Sequence, residues 1–589
     1  MKSEEFAAAQ TGHKNDITMN NNKNINRKER SMNVMMKLLG AAFFILHSSF
    51  FISCSKDFLD KTPEGEYIED NFYDSDDALY ASTAPLYNRA WFDYNTRGML
   101  LLGSLRANDA YSPYNWPEYG MFTVTALNEY LSDIWAGFFS VVTMANATIT
   151  NIESKSTANV TEEAKRTAIG EARLMRGVAL FYAMHVWGPL VLFESNQEVV
   201  DNPVRPRNPE EDVFKFVIND LTYAAENLPE SPYASGRATC WSAKAMLAKV
   251  YLARSGWDKS QRDESDLAQA KKYALDVIEN SGARLLDNYH NLFKYRYNNN
   301  EESLLACQWY KSTTLQWYVC NATISDLCAD SKMLGGVMCW SALNASPDML
   351  MQYRYKGSNG AYKWETIRRD ASFCTPGVHY DYICMADGGY TYEGSAAPIK
   401  KGVVGGPDDD NDGYVAMMCS PLNTYIIRLA DVYLIYAEAC LGNSTSLSGE
   451  GLQYFNAVRR RAGIDEAASI TFEDIIRERR VEFGMEFLNW YSMLEWYKWK
   501  PNFMLNYLNN QYRGCTYNEV RVGADNELSF YHNPDNDWEE VVSTEFGDLV
   551  APDVTPVITN DNIFLPYPEA DVIQNPYLKR EPEHYNFNE

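Results

Sequence analysis

The sequence lacks most of what a familiar catalytic centre requires. It has seven histidines, no His-Glu-x-x-His pair, no Gly-x-Ser-x-Gly elbow and no Gly-rich phosphate loop. Ten cysteines (240, 307, 320, 328, 339, 374, 384, 419, 440 and 515) follow Cys54, and no two are spaced Cys-x-x-Cys, so a zinc site has no support. Seven of them fall between Cys307 and Cys419. Oxidised pairs in an exported chain and buried free thiols both fit that distribution, and spacing alone leaves the pairing open. Positive charge is also short: 53 Lys and Arg against 79 Asp and Glu give a net charge of −26. A phosphate backbone needs a basic face, so nucleic acid is excluded as a partner. No apolar run reaches the ~20 residues of a comfortable membrane span.

What is present is a large soluble body. The 589 residues are 46% apolar with mean hydropathy −0.39, enough for an extensive core. Aromatics are abundant, with 40 Tyr and 14 Trp. Their flat faces and polar edges suit both a core and a sugar-like or peptide ligand.

The amino end sets the compartment. Residues 1–31 are polar and Asn-rich; then come Met35-Met36-Lys37, the apolar run Leu38 to Ile52, and Ser53-Cys54. This is the order of a secretory signal, with translation expected to start at Met32, Met35 or Met36. Phe51-Ile52-Ser53-Cys54 reads as a lipobox with Phe51 in place of the usual leucine, so residues 1–53 are expected to be removed and Cys54 acylated. Two or three acyl chains give stable anchoring where one does not.

Helical periodicity dominates the rest. Ala164, Ala168, Ala172, Met175, Ala179, Tyr182 and Val186 mark one helix, stopped by Gly188-Pro189. Others are predicted from Pro209 to Leu228 with Asn208 as cap, around Trp241 to Leu252, from Leu267 to Ile278, from near Tyr425, and from Leu452 to Ala462. A further stripe of Ile476, Phe483, Phe487, Trp490 and Leu494 includes a Glu473–Arg477 pair at i,i+4. Glu482 and Glu486, one turn apart, read as a solvated pair and not as glycosidase acids set ~5–9 Å apart across a cleft. Alanine and glycine at the helix faces point to degenerate tetratricopeptide-like pairs without a strict repeat. The expected class is mainly α: a helical scaffold over 54–282 and 425–589, with a long irregular insertion at 283–424, all in one body.

Several stretches resemble the SusD/RagB family. They are Cys54 to Asp60 with Pro63; Glu171-Ala172-Arg173 with Arg176 and Trp187-Gly188-Pro189; Leu247 to Leu252; Arg428 to Leu434; Asn456 to Arg459; Glu478-Arg479-Arg480 with Glu482, Glu486, Trp490 and Trp496; and Leu565-Pro566-Tyr567-Pro568 with Asn575-Pro576. Each is weak alone; their order along the chain makes the combination specific. Phe487, Asn489 and Ser492 depart from the family's Gly, Arg and Asp, so an ion pair is expected to be missing there and a Phe487–Tyr491 pair to replace it. Lys56-Asp57 resembles the surface-export signal of Bacteroidetes-type lipoproteins. The resemblance implies a non-enzymatic lipoprotein of the outer membrane, facing the cell exterior. Such a protein captures a glycan, or in a sister reading a peptide, for a TonB-dependent, SusC-like transporter. A secreted glycoside hydrolase is the alternative class.

The ligand surface is expected on the insertions. Two aromatic stretches, read as non-helical, supply candidates: Trp91, Tyr94, Asn95, Arg97, Asp109, Tyr111 and Trp116, with Tyr114 and Tyr119; and Trp309 and Trp317, with Tyr310, Tyr318, Trp340, Tyr353 and Tyr355. No cofactor is expected, with one reservation. Asp408, Asp410 and Asp412 before Gly413 copy the first half of a calcium loop, although Cys419 stands where its bidentate glutamate belongs.

Overall fold

Small residues on one helix face set the architecture. In α3 (Glu162–Trp187), Ala164, Ala168, Ala172 and Ala179 are fully buried, and a Cβ added at Gly170 would lie 3.2 Å from Leu228. Neighbouring helices come this close only where side chains are short. Thr161 caps α3 by accepting the Ala164 N–H, Glu162 and Glu163 sit at its positive end, and Gly188 ends it at φ 75°.

The computed structural model describes residues 72–112, 115–513, 519–532, 539–542 and 555–587. The expected signal segment, Cys54, Lys56-Asp57, Tyr114 and Cys515 lie outside them. After α1 (Asp76–Thr83) come α2 (Glu129–Lys155), α3, α4 (Glu210–Asn227), α5 (Cys240–Gly256), α6 (Glu264–Asn280), α7 (Leu429–Leu441) and α8 (Leu452–Arg461). From α2 to α8 each helix packs on the next, which is the expected array of tetratricopeptide-like pairs. Among the described residues no helix is long and apolar enough to cross a membrane.

Several helix expectations need correction. Asn208 does not cap α4; Pro209 holds that position, and the Asn208 side chain binds the Leu192 N–H and the Glu583 carbonyl. The helix expected near Tyr425 starts at Leu429, because β-branched Thr424–Arg428 forms β4 against β2 (Ser303–Cys307). The early aromatic stretch is also not loop: Arg89–Trp91 is a turn of 3-10 helix, and Tyr94–Arg106 winds as a wide π-type helix.

Residues 281–428 leave the array between α6 and α7, which still pack directly on each other. The β2–β4 ladder, with Leu305 opposite Ile427 and Ala306 opposite Tyr425, closes the base of this insertion. Its other pieces are short, including β3 (Asn344–Ala345), which pairs with β1 (Ala110–Tyr111). They gather around their own core of Ile324, Met333, Leu334, Ile383, Val403 and Val415.

The apolar stripe predicted as one helix is two, α9 (Phe472–Phe483) and α10 (Asn489–Trp499), with Met485 and Phe487 at positive φ between them. Buried side chains take up the backbone groups that the break releases. Lys401 Nζ binds the Gly484 carbonyl at 2.6 Å, Arg428 Nη2 and the Tyr289 hydroxyl bind the Glu482 carbonyl, and Asn489 Nδ2 binds the Arg480 carbonyl at 3.1 Å. Phe487 is thus off the helix, and Tyr491 packs at a tilt against Tyr182 instead, with ring centres 4.6 Å apart. Asn489 donates to Asp109 and Ser492 accepts from Arg479, so hydrogen bonds from neutral side chains to ionisable groups stand where the family's ion pair is missing. Arg477 turns from Glu473 towards Glu478 and the Tyr355 ring.

Glu482 and Glu486 are not solvated. Glu482 is fully buried among Arg368, Arg428 and Arg461, and Glu486 binds Arg428 and Lys401. Burial alone would raise the Glu482 carboxyl; the three guanidinium groups hold it well below the usual carboxylate range. Nearby, Asp431 of α7 takes Lys249 of α5 at 3.0 Å and Arg479 of α9 at 2.7 Å. Burial opposes its ionisation, but Arg479 and Lys249 prevail and bring its pKa to about 2.

The depressed Asp431 pKa fixes the sign of a pH effect. Its stabilisation is complete above its unfolded value of ~4 and is lost as pH falls through about 2. Asp431→Asn is expected to lower the unfolding free energy at neutral pH by about 3–5 kcal/mol, because two buried cations lose their partner. Urea titration across pH should show the gap to wild type closing below pH ~4. At Gly103 an added Cβ would fall 2.5 Å from the Phe487 backbone. Gly103→Ala should therefore cost about 1–3 kcal/mol in the same assay.

Candidate functional site

Most tryptophans are accounted for by packing. Among the described residues only Trp116, Trp317, Trp340 and Trp364 escape burial, with Trp317 43% and Trp340 40% exposed. Three of these four flank the start of the Tyr94–Arg106 helix.

Asp326 organises two of them. It is fully buried in the short helical turn Ile324–Leu327. Its carboxylate accepts the Trp340 indole N–H at 2.5 Å and pairs with Arg97 Nη1 at 2.8 Å. Burial raises the Asp326 carboxyl, while Arg97 and Trp340 act against that shift. The Arg97 guanidinium lies 5.4 Å from the centre of the Trp116 ring, a cation–π contact. One carboxylate thus fixes Trp340 directly and Trp116 through Arg97. Trp317 and Tyr318 reach the same helical stretch through Phe92, edge-on at 4.9 and 5.2 Å, and Arg89 lies 5.9 Å from the Tyr318 ring. Tyr310, 60% exposed, joins the same loop through its N–H to the Val319 carbonyl.

The backbone is strained where these rings are presented. Trp116, Tyr318 and Ser341, which follows Trp340, have φ of 58°, 71° and 45°. Bulky residues rarely occupy this region, and such strain concentrates at functional sites. Beside Trp340 lies a groove of about 790 Å³ lined by Tyr111, Lys332, Asn344, Tyr390 and Tyr392. Aromatic faces next to amide and ammonium donors can stack on and hydrogen-bond a polyhydroxylated ligand.

Of the candidates predicted from sequence, Arg97, Tyr111, Trp116 and Trp317 come together on this face, and five others do not. Trp91 is buried against Tyr94 and Phe138. Tyr94 is buried with its hydroxyl 2.5 Å from that of Tyr491. Asn95 donates to Asn321 and accepts from Thr424, fastening the helix to the insertion. Trp309 turns inward and donates to Thr424 at 3.0 Å. Asp109 is sealed beside Asn489 and Arg480, and burial raises its pKa to about 6. Tyr353 and Tyr355 are also core residues. Asp326, Lys332, Tyr390 and Tyr392 were beyond sequence reasoning, since no local pattern marks an acid whose partners lie far off in the chain.

The acidic run is already occupied by protein groups. Asp410 and Asp412 pair with Arg296, while Asp409 accepts the N–H groups of Cys384, Met385 and Gly406. Among the described residues no three His, Cys, Asp or Glu side chains are grouped to hold a metal.

Comparison with known proteins agrees with this architecture. One family model, described as "SusD family", matches residues 381–584, and another, described as "Starch-binding associating with outer membrane", matches residues 57–252. A SusD-like protein of Bacteroides ovatus is 56% identical over 541 residues, 92% of this chain and 97% of its own length. A crystal structure with a xylogluco-oligosaccharide is of a protein also 56% identical, with TM-score 0.80, covering 87% of this chain and 100% of that one. A laminarin binding SusD-like protein, 19% identical, has TM-score 0.59 over 85% of this chain and 98% of its own; at that identity it shows the fold alone. With both halves matched by family models and a relative of 56% identity spanning nearly its whole length, the chain belongs to the SusD family.

Proposed function

We propose that this chain is a non-enzymatic surface lipoprotein that captures a β-glucan-type oligosaccharide of the xyloglucan class and passes it to a TonB-dependent outer-membrane transporter. The observation that carries the reading is that Trp116, Trp317 and Trp340, each only partly covered, are all tied to the start of one helix, in a protein that buries most of its other tryptophans. The 56% identical relative crystallised with a xylogluco-oligosaccharide supports the ligand class. The fate of the acids supports binding over hydrolysis. Glu482 and Glu486 are locked in buried ion pairs, and Asp326 is engaged by Arg97 and Trp340. The lipobox at Cys54 supports anchoring at the membrane by the amino end.

Calorimetry on the soluble chain lacking residues 1–54, titrated with a xylogluco-oligosaccharide, tests the ligand. Trp317→Ala and Trp340→Ala should each weaken binding at least about tenfold, the loss of ~1.4 kcal/mol or more at an aromatic anchor, with Tm unchanged for Trp317→Ala and lowered slightly for Trp340→Ala, which takes a donor from the buried Asp326. Trp91→Ala should lower Tm instead. Unchanged affinity in both surface variants, binding only to peptides, or release of reducing ends by the pure protein would each sink this reading.

Anchoring has its own test. Cys54→Ala should abolish palmitate labelling and shift the protein from the membrane to the soluble fraction. An unlabelled wild-type chain recovered from the cytosol would remove the lipoprotein reading.

A further inference from the structure

The two loops that present Trp317 and Trp340 each carry a cysteine whose thiol meets another thiol. Cys320, three residues after Trp317, lies close enough to Cys419 to act on its thiol, and Cys339, next to Trp340, does the same with Cys328, while Cys320 Sγ donates to the Gln316 carbonyl at 2.9 Å and Cys328 Sγ to the Asp330 carbonyl at 3.3 Å. The backbone keeps the partners together. Beside the first pair, Asn321 and Ser420 exchange N–H···O bonds of 3.2 and 2.9 Å. Beside the second, Trp340, Ser341 and Ala342 donate to the carbonyls of Ser325, Cys328 and Asp326. Ser325 joins the two sets: its hydroxyl donates to the Met338 carbonyl and accepts the Met418 N–H, so each contact is one residue from a paired cysteine.

We propose that Cys320 with Cys419 and Cys328 with Cys339 close as two disulfides that lock the tryptophan-bearing loops in their ligand-ready positions. The supply of an oxidising environment rests on the surface location proposed above. In each pair a thiolate attacks one sulfur of an external disulfide and releases its other half as a thiol. The partner cysteine then loses its proton and displaces the second half. One S–S bond forms in the protein, one breaks in the oxidant, and two thiol protons pass to the two released thiols. The attacking groups are Cys320 and Cys339, whose thiols are lowered by the neighbouring Cys419 and Cys328, and Cys339 is the more accessible of the two. Cys374 lies near enough to Cys328 to act on its charge, but its thiol is engaged with Tyr380 and raised by burial, so it is the rival that does not pair. The first bridge closes a loop from 320 to 419, nearly the whole outer part of the insertion, and long loops lose the most freedom in the unfolded chain. The second fixes the turn that presents Trp340. Ordering these loops beforehand removes part of the entropic cost of ligand binding.

The test uses the purified soluble chain. It is incubated with oxidised glutathione, unfolded, alkylated and mapped by mass spectrometry. Peptides linked 320–419 and 328–339 are expected, with Cys307 and Cys374 alkylated. Dithiothreitol should reverse both links, lower Tm by several degrees and weaken xylogluco-oligosaccharide binding several-fold. Cys419→Ser should expose Cys320 to alkylation and leave the other bridge intact; Cys328→Ser should do the same for Cys339. Full alkylation of all four cysteines after oxidation, or a Cys328–Cys374 link, overturns the pairing, and equal affinity of reduced and oxidised chains overturns the locking role. Bridges in a chain that binds no oligosaccharide would sink the glycan reading and leave the disulfides standing. Tight binding by a chain with four alkylated cysteines would do the reverse.

Discussion

Arg428 is the side chain on which the rest of the structure depends. It is fully buried where β4 meets α7 and contacts Glu302, Glu482 and Glu486. Arg461 shares Glu302 and Glu482, Arg368 reaches Glu365, Glu478 and Glu482, Arg459 joins Glu478, and Lys401 joins Glu486. Five cations thus meet five carboxylates, with Arg477 at the edge 4.0 Å from Glu478, so the charges of the cluster nearly cancel. That balance is what allows so many charges to leave water together, because an isolated buried charge would cost several kcal/mol. The members come from the array, from α9 and from the insertion. The ions therefore form only when all three are in place, and they select one arrangement of the insertion over others that an apolar core would tolerate.

This frame explains how a long irregular segment can serve as a precise surface. The insertion has few backbone ladders of its own, and its pieces are too short to be stable alone. It is held at its base by the β2–β4 ladder, at Lys401 and Arg368 by the ion cluster, and at Asn321 and Thr424 by Asn95. With those points fixed, strain at Trp116, Tyr318 and Ser341 can persist without relaxing the loops. Buried ions and strained aromatics are two ends of one device: the first supplies the rigidity that the second requires.

How much of this could be read from the chain follows from the range of the interactions. The α3 periodicity and its Gly188 stop are local, and the helix boundaries match closely. Glu482 and Glu486 read as solvated in the sequence because an i,i+4 carboxylate pair looks the same whether it faces water or arginines that lie far away along the chain. Trp309 and Trp317 stand eight residues apart in one aromatic stretch, yet the first continues β2 into the core and the second sits on the loop beyond it. Only the β2–β4 register decides between them. The break at Gly484 was hidden for the same reason, since the groups that satisfy it, Lys401 and Tyr289, come from the insertion.

The residues that carry the family resemblance and those that would carry the ligand do not overlap. Glu171 is buried against Thr83, Tyr87 and Arg237; Arg176 grips Asp220; Lys249, Asp431 and Arg479 form one buried knot; Glu482 and Glu486 lie in the ion cluster. Each is buried in the scaffold of this chain and holds its elements together. Trp116, Trp317 and Trp340 belong to none of the resembling stretches, and of the three only Trp116 touches a scaffold helix, edge-on to Tyr130 of α2. A substitution in the first set disturbs folding for every ligand, whereas one in the second can change the ligand without touching the fold. Proteins less than one fifth identical can therefore share this architecture while their surfaces diverge, and a likeness at that level speaks for the scaffold and not for the ligand.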